Sequence, residues 1–263
     1  MESLAIDNPF PGAVSFLLRE TPSTQDEARR LAKLGLPPGS LVAAEAQGSG
    51  RGRFPERRWE SEAGKNLLVS ILFEPARALL PALPLRLGAA LARAARIQAI
   101  RMGRSLRGAR PLVKWPNDLL VGGKKAAGIL CEAGPEGLFV GIGVNCNQGG
   151  FPPGLAAKAT SLSLELGAEI DRWAFLELLL GSIKAELEEE RWKPGVEELL
   201  WRRGEAVRFL PGLPGGPGGG GGELEGILEG IDERGSLLIR PLGPAPANAA
   251  GLLSFAAGEL SPG

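Results

Sequence analysis

The sequence predicts an α+β fold: a mixed, largely antiparallel sheet over residues 1–203, followed by a small β-barrel over 204–263. Three observations carry this. Apolar runs at 111–115, 119–121, 124–132 and 138–144 follow one another through short turns, as hairpins do and βαβ units do not. Helical periodicity is confined to 25–34, 76–100 and scattered segments between 157 and 203. After Gly204 four short strand candidates alternate with Gly and Pro, the pattern of a small barrel.

In order along the chain, 13–19 reads as a strand that Thr21-Pro22-Ser23-Thr24 breaks. Ser23 or Thr24 then caps a helix over 25–34, with Asp26 or Glu27 three residues on completing a capping box. A strand at 40–46, a loop at 48–58 and a continuously apolar strand at 67–73 come next. The helix over 76–100 has an irregular start at Pro81 and Pro84. Gly122-Gly123 is a two-residue hairpin turn, so 124–132 returns antiparallel to 119–121. Helices are expected at 157–166, 172–190 and 196–203. The barrel strands are expected at 207–210, 224–231, 236–240 and 252–255. The tract 211–222 holds only Gly and Pro apart from Leu213, and reads as a flexible loop between the first two of them.

Composition bounds the chemistry. With 263 residues and 44% hydrophobic content the chain supports a substantial core. No run approaches the roughly 20 apolar residues of a membrane span. The N-terminus lacks the basic-then-apolar order of a secretory signal, so a soluble cytoplasmic protein is expected. Thirty basic and thirty acidic residues cancel, leaving no global field to draw the chain to nucleic acid. There is no histidine and no tyrosine, which excludes Ser-His-Asp triads, histidine acid/base catalysis and His-ligated metals. Cys131 and Cys146 stand singly in apolar runs and read as buried, reduced thiols. The chemistry falls to Lys, Arg, Asp, Asn and Gln, with room for a hard metal on oxygen ligands. That set suits phosphoryl or acyl activation.

Two cationic elements stand out. Gly50-Arg51-Gly52-Arg53 combines backbone freedom with guanidinium forks that match a carboxylate or phosphate. Such a loop orders as it binds. Read alone, it is equally a solvated basic loop. Lys114-Trp115-Pro116-Asn117-Asp118 ends a strand whose alternation packs Trp115 inward while Lys114 faces a cleft. Asn117 and Asp118 also serve as turn residues. Lys124-Lys125 reads as an edge-strand solubility device, Trp59 as a core aromatic, and Ser23-Thr24 as a cap.

Taken together, Ser23-Thr24-Gln25-Asp26-Glu27-Ala28, residues 47–59, Lys114 to Asp118, 124–130 and 141–145 resemble the biotin–protein ligase family, in the family's order and across nearly the whole chain. The resemblance implies a catalytic domain related to class II tRNA synthetases and lipoate ligases, with an SH3-like C-terminal barrel. It implies that biotin and ATP, with Mg²⁺, yield biotinyl-5′-adenylate and pyrophosphate. The biotinyl group then passes to a lysine of a biotin carboxyl carrier protein, the acceptor domain of acetyl-CoA carboxylase. By position, Ser23, Thr24, Gln25 and Gln47 would line the biotin ring pocket. Gly50, Arg51, Gly52 and Arg53 would hold carboxylate and phosphate, with Lys114 neutralising both and Gly128 abutting the ligand. Trp59, Asn117 and Asn145 would meet the nucleotide, and Asp118 would orient or deprotonate the incoming amine.

Three departures stand. Gln25 replaces the family's usual Asn. Residues 54–58 carry one residue more than the family loop and no glycine, which weakens any role for Glu56, Arg57 or Arg58. The winged helix-turn-helix of repressor-type members is not expected, because about a dozen residues precede the first strand. The resemblance leaves homodimer formation by edge-strand pairing open. The rival readings are a lipoate or octanoate ligase of the same fold, a biotin-sensing regulator, and a non-catalytic binding protein. The first commonly needs a histidine motif, the second a DNA-binding segment, and the third no cation cluster.

Overall fold

The apolar runs assemble into a sheet of eight strands in a computed structural model that describes residues 1–54, 58–106, 110–212, 222–243 and 251–263. They are β1 (Glu2–Ser3), β2 (Ser15–Leu18), β3 (Leu41–Ala44), β4 (Leu67–Phe73), β5 (Leu112–Lys114), β6 (Asp118–Val121), β7 (Lys124–Gly134) and β8 (Gly137–Val144). Their order is β1-β2-β3-β4-β8-β7-β6-β5. Every neighbouring pair is antiparallel except β2 and β3, which run parallel around helix α1 (Thr24–Ala32). That one βαβ crossover escaped the sequence reading, which rested on the hairpins. Gly122 and Gly123 both have positive φ, 59° and 75°, as the tight β6–β7 turn requires.

Alternation along the strands sorts the two faces. Leu67, Val69, Ile71 and Phe73 of β4, with Val140, Ile142 and Val144 of β8, pack against α2 (Leu83–Arg101) and α5 (Arg172–Glu188) in the main core. On the other face Val42, Leu72 and Phe139 meet Ala28 and Leu31 of α1. Because α1 covers only this part of the sheet, the face over β7, β6 and β5 is left for a cavity. The irregular start expected of the 76–100 helix is a 3-10 turn, Pro75–Leu79, after which regular α2 begins only at Leu83. Buried Arg86 of α2 donates to the carbonyls of Glu186 and Glu189, the latter at 2.9 Å, and ties α2 to α5.

Of the helix expected at 157–166 only α4 (Leu162–Leu166) forms; a separate short helix, α3 (Pro153–Ala156), precedes it, and 157–161 is not helical. Ser161 sets the start of α4: its Oγ accepts from Leu164 N and caps the helix. The helix expected at 196–203 is α6 (Trp192–Leu199); Pro194 falls in its first turn, where proline is tolerated, so the helix begins earlier. No helix among the described residues is long and apolar enough to cross a membrane.

Beyond residue 203 lie β9 (Ala206–Pro211), β10 (Leu224–Ile231), β11 (Leu237–Pro241), β12 (Leu253–Phe255) and β13 (Gly258–Pro262), an antiparallel sheet ordered β12-β11-β10-β9-β13. β13 was not expected, since Leu260 is its one large apolar residue. The expected flexible loop at 211–222 falls mostly on residues 213–221, outside the described residues. The edge strands β12 and β13 are joined by only Ala256 and Ala257, which forces the sheet to curl. Its inner face, Val207, Phe209, Leu228, Ile231, Leu237, Ile239 and Leu260, shares one cluster with Leu85 of α2, Val113 of β5, Trp115, and Trp192 and Val196 of α6. Trp115 is central, its Nε1–H donating to Gly235 O at 3.0 Å and its ring lying edge-on to Phe209. The outer side of β5 is capped where Leu200 bridges Val113 and Trp201 N–H donates to Val113 O at 2.9 Å.

Candidate active site

The uncovered sheet face floors a cavity of about 980 Å³, walled by α1, residues 47–54 and 58–59, the 157–159 turn and strands β9 and β13. That volume lies at the top of the range for ligand pockets. Strand register sets the floor. Lys114 pairs with Asp118, Asp118 with Gly128, Gly128 with Gly143, and Gly143 with Leu68. Directly opposed residues share a face, so Lys114 and Asp118 project on the side where Gly128 and Gly143 present bare backbone. All four line the cavity, with Arg53. The glycine-hinged loop and the hairpin rim therefore meet over one space.

The glycines are filled by other side chains. A Cβ on Gly143 would lie 2.6 Å from the Trp59 indole, and one on Gly128 3.2 Å from it. Trp59 is thus seated flat on the glycine rows and half-buried. Its Nε1–H is buried and has no acceptor among the described residues. A Cβ on Gly141 would fall 2.1 Å from Gln25 Oε1. Gly141 and Gly143 share one face of β8, and the sheet has been thinned there to admit a tryptophan and, two residues along, a polar amide.

α1 brings the polar end of the cavity. Ser23 caps the helix, accepting from Asp26 N, and Thr24 and Gln25 follow in its first turn, all buried. Gln47 Oε1 accepts from Thr24 N at 2.8 Å and from Thr24 Oγ1 at 3.1 Å; Thr24 Oγ1 lies 2.8 Å from Ser70 Oγ. Gln25 Nε2 donates to Glu132 Oε2 at 2.6 Å. Ser23, Thr24, Gln25 and Gln47, which the sequence reading grouped, do converge.

The loop is anchored at its neck. Trp59 N–H donates to Gly50 O at 2.9 Å, Arg51 bridges Arg58, and a Cβ on Gly50 would sit 2.9 Å from Trp59 O. Arg51 forks onto Asp26 at 2.9 and 2.6 Å, a hydrogen bond that raises the guanidinium above its ordinary value while burial opposes it. Arg53 donates to Gly258 O at 2.8 Å, stacks over Phe54, and is flanked by Gly52, which also lines the cavity. Glu56 and Arg57 lie outside the described residues; Arg58, whose role the sequence reading had weakened, lines the cavity.

Lys125 and Asn145 are placed differently from expectation. Lys125, read as a solubility device, lines the cavity: its Nζ is 2.7 Å from Asp118 Oδ1 and 5.6 Å from the centre of the Trp59 ring. A register shift between Leu119 and Leu120 puts Lys125, not Lys124, over the floor, and no alternation rule in the sequence signals such a bulge. Asn145, expected at the nucleotide, is buried and absent from the cavity wall; its Nδ2 donates to Thr160 O at 3.0 Å, holding the 157–161 segment to β8. Asn117 lines the cavity, but its Nδ2 donates to Ile129 O at 2.7 Å, which is turn work. Lys114 Nζ lies 5.6 Å from the Trp201 ring centre.

The result is electropositive. Arg51, Arg53, Arg58, Lys114, Lys125 and Lys158 line the cavity against Asp118, Glu223 and Glu259, six bases to three acids among the described residues of a chain of zero formal charge. Partial enclosure strengthens each of these charges. The arrangement suits an elongated anion with a polar, hydrogen-bonding head at α1 and a flat ring near Trp59.

A model of the biotin/lipoate A/B protein ligase family matches residues 17–148. The bifunctional ligase/repressor BirA of Bacillus subtilis is 37% identical over 230 residues, covering 82% of this chain and 66% of that protein, so the chain spans just under two thirds of that relative. Biotin–[acetyl-CoA-carboxylase] ligase of Paracoccus denitrificans is 36% identical over 241 residues, covering 87% of this chain and 94% of that one. Among solved structures, biotin protein ligase from Aquifex aeolicus in complex with biotin and ATP superposes with a TM-score of 0.76 at 30% identity, over 96% of this chain and 98% of that one. Fold, cavity and similarity agree: the chain belongs to the biotin/lipoate A/B protein ligase family, and within it to the biotin protein ligases.

Proposed function

We propose that the protein is an ATP-dependent biotin ligase that forms biotinyl-5′-adenylate and transfers biotin to a lysine of a biotin carboxyl carrier protein. The convergence of Arg51, Arg53, Lys114 and Lys125 on one cavity supports this reading most directly. In the first step a carboxylate oxygen of biotin attacks the α-phosphorus of ATP, and pyrophosphate leaves. Two anions must approach each other, so the cations lower the repulsion and stabilise the charge spread over the phosphoryl oxygens. In the second step the carrier's amine nitrogen attacks the acyl carbon, AMP leaves, and the nitrogen loses a proton. Asp118, held by Lys125, would orient that amine.

Ser23, Thr24, Gln25 and Gln47 would take the ureido head, and Arg51, Gly52, Arg53 and Lys125 the carboxylate and α-phosphate. Gly128 would lie under the ligand, Trp59 beside the adenine, and the Trp59 Nε1–H would find its acceptor on the bound ligand. Lys114 is placed to neutralise phosphate at the rim. Mg²⁺ would arrive as the nucleotide complex, which keeps several waters and takes one or two protein carboxylates. Asp118, Glu223 and Glu259 supply oxygens of that kind, while no cluster of three potential ligands occurs among the described residues.

The acceptor is proposed to be the carrier domain of acetyl-CoA carboxylase, in the cytoplasm. The C-terminal sheet is proposed to close as an SH3-like barrel, and residues 1–203 and 204–263 to act as the catalytic and C-terminal units. A homodimer paired through an edge of the eight-stranded sheet would use β1, because β5 is capped. Incubation with biotin, Mg-ATP and a carrier domain tests the whole proposal: mass spectrometry should find one biotinyl group on the carrier lysine. Calorimetry showing lipoate bound and biotin ignored would overturn it.

A further inference from the structure

Glu132 of β7 lies beside the cavity without lining it, and its contacts select how the cavity is presented. Its single Oε2 accepts from Gln25 Nε2 at 2.6 Å and from Arg29 Nη2 at 2.6 Å. Gln25 and Arg29 stand four residues apart on one face of α1, so both reach the same strand residue. Arg29 also stacks over Phe139, 5.1 Å from its centroid, which holds the guanidinium behind the carboxylate. Arg51 Nη2 is 3.8 Å away, at the loop neck.

An amide's two ends are nearly the same size and differ in hydrogen-bonding sense. A Gln side chain in a polar pocket can therefore turn over and offer either a donor or an acceptor. A carboxylate only accepts. Pairing with Glu132 commits Gln25 Nε2, and Oε1 is left over Gly141, where a side chain would collide with it at 2.1 Å. Gly141 and Gln25 both line the cavity. The group facing the ligand is thus an acceptor, matched to an N–H.

We propose that Glu132 is a positioning residue: it fixes the orientation of the Gln25 amide and so makes the head pocket select ligands that carry an N–H, such as the ureido group of biotin. This rests on the biotin-ligase reading. Without Glu132 the Arg29 and Arg51 guanidiniums draw Oε1 toward themselves, so the amide turns over and its competent orientation falls to about a tenth of the population. Turnover of bound ligand and nucleotide affinity do not pass through this contact.

The test is a double-mutant cycle on biotin affinity, measured by calorimetry and as KM. Glu132→Ala should raise biotin Kd and KM about tenfold, the effect of one charge-assisted hydrogen bond, while KM for ATP and kcat stay within about twofold. Glu132→Gln should restore biotin affinity although the charge is gone, because Arg29 Nη2, a donor only, keeps the oxygen end of the new amide in place to accept from Gln25 Nε2 as well. In a Gln25→Ala background, Glu132→Ala should have no further effect on biotin. Additive effects in the cycle, failure of the Gln variant to rescue, or equal losses in biotin and ATP affinity would overturn the inference. Wild-type protein that does not bind biotin would instead overturn the ligase reading itself, before any variant is made.

Discussion

Gly143 sets the depth of the cavity at the level of one methyl group. A Gly143→Ala side chain meets the Trp59 indole at 2.6 Å and must push it off the sheet. ATP binding should weaken roughly tenfold, on the order of one aromatic contact, while thermal unfolding shifts little because the indole is half-buried. Titration of ATP against the variant checks this. Lys125→Ala removes the cation that holds Asp118, and should lower kcat/KM for adenylate formation about 10- to 150-fold, the equivalent of about 1.5–3 kcal/mol. Pyrophosphate-release kinetics measure it, and a variant of unchanged rate would return Lys125 to the solubility role its sequence suggests. The two thiols carry a third consequence. Burial pushes Cys131 up to about 12, with Glu132 adding to it, and Cys146 up to about 12 as well. Unfolded cysteines ionise near pH 9, so between there and pH 12 the folded chain retains more protons than the unfolded one. Stability is therefore full below pH 9 and falls as pH rises above it. Urea midpoints at pH 8 and pH 10 should show the fall, reduced in Cys146→Ala.

Elements place these residues, and the register of four strands does most of it. Lys114, Asp118, Gly128 and Gly143 are spread over 29 positions of sequence, yet they form a single row across β5, β6, β7 and β8. Helix α1 contributes the second half by turning Ser23, Thr24 and Gln25 toward the same space. It also holds the loop through Asp26 and Arg51, an exposed pair whose removal in Asp26→Ala should cost less than about 1 kcal/mol of global stability. The same variant should markedly lower amide protection at residues 50–53 in hydrogen exchange without biotin, and the protection should return when biotin-adenylate forms. Unaltered protection at 50–53 would mean that the Gly50–Trp59 hydrogen bond alone fixes the neck.

At the scale of the whole molecule, the chain is divided in sequence and joined in its core. The C-terminal sheet buries Val207, Phe209, Leu228 and Ile239 against Trp115, Val113 and Leu85, and it lends Gly258 and Glu259 to the cavity wall. A chain cut after residue 203 would expose Leu85, Val113, Trp115, Trp192 and Val196 together, a contiguous apolar patch of the kind that drives aggregation. It should be insoluble or bind a hydrophobic dye strongly, and full-length protein should unfold in one transition by calorimetry. Two separate transitions would show that residues 204–263 fold on their own.

The order of strands and helices, the capped start of α1, the Gly-Gly hairpin and the two cationic motifs were legible because each rests on local chemistry: periodicity, a cap, a turn conformation, a run of charge. Tertiary structure alone decided the rest. The bulge in β6–β7 chose Lys125 over its neighbour, packing against Thr160 took Asn145 out of the cavity, and a single apolar residue made β13 invisible until β9 paired with it. These outcomes depend on which residues are opposed across strands distant in sequence. A pattern with period two fixes faces along a strand, but not the partner that faces them.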